Sequence, residues 1–177
     1  YSGRVGKDRG LMEIAQSIQG LENVRFEIAN SGNVSFEDEF MLKLFEYPNV
    51  FSLGNLTHER CIQEMVRSDL LLAFYNPDLI AHKHPNSNKV FEAMMLKIPI
   101  FTNFGTSLSD FVVKHKIGIV TEYSRTEIIK DTIRDIKRNK SKLETYGDNA
   151  QRLYIEAYNW KKYANVLRKI YIKHAIY

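Results

Sequence analysis

The chain has 177 residues, 44% of them hydrophobic, which is enough to bury one sizeable core and too few for two ordinary domains. Net charge is +4, with 12 Lys or Arg against 5 Asp or Glu from Lys130 onward, a net +7 that leaves residues 1–129 at −3. The basic end fits the solvated faces of terminal helices, no aromatic-interleaved nucleic-acid motif accompanies it, and no apolar run approaches the ~20 residues that span a bilayer.

In chain order, "YSGRVGKDRG" reads as the end of a strand followed by a loop, not as a secretory signal, so the sequence is expected to be a fragment of a larger protein cut at a domain boundary. Helix-like patterns near 9–19, 35–46, 58–68, 88–97 and 107–116 alternate with apolar runs at 23–30, 49–54, 69–75, 98–103 and 118–122. The run "LLLAF" is apolar throughout, as in strands buried on both faces. This alternation predicts an α/β fold: a Rossmann-like, doubly wound parallel sheet of about five to six strands in a single domain over 1–177. Thr57, Ser107 and Ser124 are candidate helix N-caps, Ser124 with Glu127 as a capping box. Cys61, the single cysteine, excludes an internal disulfide framework, fits a reducing compartment, and lies in a helical pattern as a buried thiol. After residue 123 the pattern is nearly all helical, with breaks expected near "YGDN" and "YNW".

In doubly wound sheets, ligands bind outside the carboxyl ends of the strands, here the loops at 3–9, 30–33, 54–57, 76–87 and 103–106. The stretch "HPNSNKVFEAMMLKIPI" places Asn86, Ser87, Asn88 and Lys89 where a helix begins, and free N–H groups beside a lysine attract an anion. Glu92, one turn on, is a poor neighbour for phosphate but a good acceptor for sugar hydroxyls. Gly3 with Arg4, and Arg9 before Gly10, place two guanidinium groups within reach of one diphosphate. Taken singly, each has a plain explanation: exposed loop cations, ordinary capping, a carboxylate favoured by the helix dipole. Neither GxxxxGK[ST] nor GxGxxG occurs, "HKH" at 82–84 lacks partners at metal-ligand spacing, and no Ser–His–Asp or Cys–His pattern is defensible.

Together these stretches resemble the carboxyl-terminal, donor-binding half of a GT-B glycosyltransferase of the retaining family 4 group. "SGRVGKDRGLMEIAQSI" is similar to that family's opening strand, loop and helix, which implies diphosphate contacts from Arg4 and Arg9. "NVFSLGNLTHERCIQEMVRSDLLLAFY" resembles the passage whose backbone reads the base, which implicates Leu56. "HPNSNKVFEAMMLKIPIFTNFG" resembles the signature of two glutamates separated by seven residues, and "YNWKKYANVLRKIY" the last helix. Glu92 takes the second glutamate position, and His84 stands at the first, where the family's glutamate meets the transferred sugar. The resemblance implies catalytic roles for His84 and Glu92 and a nucleoside-diphosphate sugar, UDP- or GDP-linked, as substrate, with no metal and no other cofactor. It further implies an amino-terminal acceptor domain as partner, glycan or polysaccharide biosynthesis by mannosyl or N-acetylglucosaminyl transfer, a lipid-linked acceptor, and a cytoplasmic site at the inner membrane face. A nucleotide-sugar 2-epimerase and a non-catalytic Rossmann-like interaction module are the alternatives.

Overall fold

The computed structural model describes residues 1–30, 39–84 and 87–174. Among the described residues, six parallel strands alternate with helices: β1 (Ser2–Gly3), α1 (Leu11–Ser17), β2 (Phe26–Asn30), α2 (Glu39–Phe45), β3 (Val50–Asn55), α3 (His58–Val66), β4 (Leu71–Ala73), α4 (Asn88–Met95), β5 (Ile100–Asn103), α5 (Ser107–His115) and β6 (Gly118–Thr121). Three longer helices close the chain: α6 (Thr126–Arg138), α7 (Lys140–Leu153) and α8 (Trp160–His174).

The strands form two three-stranded sheets, β1-β2-β3 and β4-β5-β6, rather than one. The break falls where β1 is only two residues long, so no hydrogen-bonded ladder joins it to β4. Both faces of β4 are nonetheless buried, as an unbroken apolar run requires. Leu72 and Phe74 enter one core with Leu11, Ile14, Ile28 and Ile129. Leu71, Ala73 and Tyr75 enter the other with Val90, Met94, Ile100 and Val112. The first core spans both sheets and holds them in one layered unit.

Three boundary expectations need correction. Thr57 caps α3 by accepting the Arg60 N–H, but Thr106, not Ser107, caps α5. Ser124 caps nothing, because α6 starts from Arg125 with no side-chain cap bond. No break occurs at 146–149: α7 runs through it, and the earlier helix ends at Asn139 instead. Gly147 is in α7 for closeness, since a Cβ there would lie 2.4 Å from the Lys97 carbonyl oxygen. The second break holds, with Asn159 extended between a π-helical turn and α8.

Candidate nucleotide-binding cleft

A cleft of about 730 Å³ opens at the carboxyl ends of β1 and β4. Its walls include Gly3, Arg4, Arg9, Leu56, Ser87, Asn88, Lys89 and Glu92. Three separate segments, the 3–9 loop, the loop after β3 and the start of α4, therefore deliver residues singled out from sequence to one place. Asn86 lies outside the described residues. His84 is exposed and is not among the residues lining the cleft, whereas His82, two positions earlier, is buried and lines it.

Local geometry explains why the loop at 4–9 stays tight. A 3-10 turn over Lys7–Arg9 ends at Gly10, whose φ is 63°. A Cβ at Gly10 would lie 2.8 Å from Phe74 Cβ and 2.9 Å from its Cδ1, so the loop rests directly on the core. Gly3 has a φ of 143°, a backbone conformation that favours glycine, and a Cβ there would lie 2.9 Å from Lys89 Nζ.

Asp8 organises the cations. Its carboxylate lies 3.0 Å from Arg4, 3.5 Å from Arg9 Nε and 3.1 Å from His82 Nε2. Its backbone carbonyl accepts the Asn76 N–H at 3.0 Å, tying the 4–9 loop to the loop after β4. Arg9 also stacks over the Tyr75 ring at 4.9 Å. Tyr75 is fixed in turn by Asn103, which accepts its N–H at 2.8 Å and donates to its carbonyl at 3.0 Å. The chain Asn103–Tyr75–Arg9–Asp8–His82 thus presets one wall from elements far apart in sequence.

The opposite wall is the start of α4. Among the described residues Ser87 holds the cap position without a side-chain cap bond, and the first N–H groups of a helix attract an anion. Lys89 Nζ sits 3.9 Å from the Tyr1 ring centroid. Burial, then the nearby Arg9 charge, lowers the Lys89 pKa to about 7, against a smaller opposing effect of Glu92. Glu92 faces His58 Nδ1 at 3.8 Å. Two arginines paired with Asp8, one lysine and a helix amino end thereby face a common space, with the Glu92 carboxylate behind them. That arrangement can hold a doubly charged anion and accept hydroxyl donors beside it.

Asp8, His82, Tyr75 and Asn103 were not anticipated as site residues. The available signal was spacing: Asp8 lies one residue before Arg9, and Tyr75 ends an apolar run at a strand's carboxyl end.

No family model matches the chain. In an alignment 162 positions long that covers 86% of this chain, it is 25% identical to CapM, a capsular polysaccharide biosynthesis glycosyltransferase of Staphylococcus aureus, and it spans 40% of that protein. It superposes with a TM-score of 0.71 and 15% identity on the carboxyl-terminal domain of the group 1 glycosyl transferase LpcC of Francisella tularensis, covering 90% of this chain and 87% of that one. The chain has the fold of a GT-B carboxyl-terminal domain. This GT-B domain also matches HepE of Anabaena, solved in complex with UDP-glucose, with a TM-score of 0.72 and 17% identity over 95% of the present chain and 48% of HepE. The GT-B domain therefore spans less than half the length of CapM and of HepE.

Proposed function

We propose that this domain binds the nucleoside-diphosphate portion of a nucleotide sugar within a larger retaining glycosyltransferase of surface-polysaccharide biosynthesis. The observation that carries the reading is the convergence of Arg4, Arg9, Lys89 and the open start of α4 on one cleft, with Glu92 a turn deeper. The departing group in sugar transfer is a nucleoside diphosphate, and stabilising its growing negative charge is the main electrostatic demand of the reaction. Glu92 orients the ribose, and the backbone near Leu56 reads the base. UDP is the first candidate because HepE is solved with UDP-glucose. Spanning 40% of CapM fits one domain of two, so an acceptor domain elsewhere in the protein supplies the remaining half of the active site. The domain alone binds donor and transfers nothing. The parent enzyme acts in the cytoplasm, at the inner membrane face where a lipid-linked acceptor is presented.

Calorimetric titration with UDP, GDP and ADP, alongside pyrophosphate, tests the reading. Saturable binding of one nucleotide supports it; no binding at millimolar concentration removes it. Glu92→Ala should weaken the preferred nucleotide about tenfold, the loss of one hydrogen bond to a charged group, and leave pyrophosphate affinity unchanged. Equal losses for both ligands would refute the ribose role.

The pH dependence has a definite sign. Below pH 7 Lys89 carries its charge with the cleft empty or filled. Above that, the empty cleft holds the neutral amine, and an entering diphosphate raises the lysine pKa, so binding takes up a proton. UDP affinity should therefore fall as pH rises from 7.5 to 9, by up to about tenfold per unit. Titrations at pH 8 in buffers of different ionisation enthalpy should register that uptake, and Lys89→Met should abolish it. A flat profile in the parent domain removes Lys89 from the anion site.

A further inference from the structure

We infer that Tyr1 is a positioning residue of the nucleotide cleft: its ring holds the Lys89 ammonium and its hydroxyl holds the 4–9 loop, so that one side chain sets the two cationic walls against each other. This role rests on the reading of the cleft as a diphosphate site.

Tyr1 lines the cleft immediately before β1 and touches both walls. Lys89 Nζ, from the start of α4, lies 3.9 Å from its ring centroid, well inside the ~6 Å at which a ring face attracts a cation. At the far end of the ring, the hydroxyl donates to the Arg4 carbonyl at 2.5 Å. That bond fixes the backbone of the residue whose guanidinium pairs with Asp8. Burial pushes the Tyr1 phenol well above its usual range, so the hydroxyl keeps its proton and stays a donor through the neutral range.

Gly3 completes the cradle. A Cβ there would lie 2.9 Å from Lys89 Nζ and 3.5 Å from the Tyr1 hydroxyl oxygen, so the lysine end and the phenol share the space a side chain would take. Burial and the Arg9 charge both work against an ammonium in this place, and Glu92 favours it from the same helix. The ring face adds a second attraction of a particular kind. A carboxylate in the ring's position would pair with the ammonium but repel an entering diphosphate. An aromatic face holds the cation and leaves its full charge to the ligand.

Tyr1→Phe and Tyr1→Leu separate the two contacts. Phe keeps the ring and loses the hydroxyl bond, so UDP and pyrophosphate should weaken together by about threefold at every pH, with no displacement of the pH profile. Leu loses both contacts. Lys89 should then give up its proton about one pH unit lower than in the parent domain. At pH 8 both ligands should weaken by up to about tenfold more than with Phe. The other charged or titrating groups lining the cleft around Lys89, namely Arg4, Arg9, His58, Cys61, Tyr75, His82 and Glu92, are the same in both variants. Lys89 is read directly, without ligand, from its Cε resonance in a lysine-labelled domain, assigned by its absence in Lys89→Met. A Lys89 midpoint in Tyr1→Leu equal to or above that of the parent would overturn the role of the ring. Tyr1→Phe affinities that match the parent would overturn the role of the hydroxyl. A lowered midpoint in Tyr1→Leu, with neither ligand bound by the parent domain, would overturn the diphosphate reading and uphold the Tyr1–Lys89 contact.

Discussion

Gly118→Ala is expected to destabilise the domain by about 3–5 kcal/mol, enough to lower its Tm by roughly 10 °C. Gly118 opens β6 and pairs with Ile100 in β5. A Cβ there would lie 1.9 Å from the Ile100 carbonyl oxygen and 2.8 Å from both its carbonyl carbon and its nitrogen. Those atoms are backbone, so no side-chain rotamer relieves the contact and the two strands must part. Ile100 and the neighbouring Ile117 are both fully buried, and parting the strands loosens their packing as well as the ladder. Overpacking alone typically costs 1–3 kcal/mol; the lost strand pairing adds to it. Gly20→Ala is the control, because nothing lies within 4 Å of its Cβ position and only the left-handed backbone, at a φ of 70°, resists. That variant should lose about 1–2 kcal/mol. Thermal unfolding followed by circular dichroism separates the two, and a Gly118→Ala midpoint within 1 °C of the parent would contradict the β5–β6 register.

Arg9→Ala should weaken UDP by about 1.5–3 kcal/mol, the scale of hydrogen bonds to charged groups, or roughly 10- to 150-fold. The side chain is already held before ligand arrives, stacked on Tyr75 and ion-paired with Asp8. Its buried Nε lies 3.5 Å from Asp8, so the guanidinium is fixed in place and meets a phosphate at little further ordering cost. Arg4 differs: its side chain is 64% exposed and already donates to Asp8, so Arg4→Ala should cost less than Arg9→Ala. Pyrophosphate should lose as much as UDP in Arg9→Ala, because the guanidinium reads phosphate and not the nucleoside. Titration curves that superimpose for parent and variant would remove the diphosphate assignment.

Much of this was legible in the residues because the relevant signals are local. Apolar runs buried on both faces marked the strands, and the carboxyl-end rule for parallel sheets brought Gly3, Arg4, Arg9, Leu56, Ser87, Asn88, Lys89 and Glu92 to the same end of the fold. The rest depends on proximity in space. Asp8 gains its meaning from His82 and Asn76, which the 76–84 loop delivers. "YGDN" resembles a helix stop by composition, yet its glycine serves the approach of α7 to Lys97. His84 was chosen by its spacing from Glu92, while the path of the chain turns His82 inward and leaves His84 outside. The division into two sheets depends on whether β1 pairs with β4, which local patterning does not encode.

Cys61 is 8% exposed and lines the cleft from α3. As the single thiol of the chain, it makes the domain its own occupancy gauge. Alkylation must wait for the cleft wall to open, so a bound ligand that holds the wall shut slows the reaction. One labelling time course then ranks ligands without an attached dye or a coupled assay, and any lag it shows measures how often the empty wall breathes.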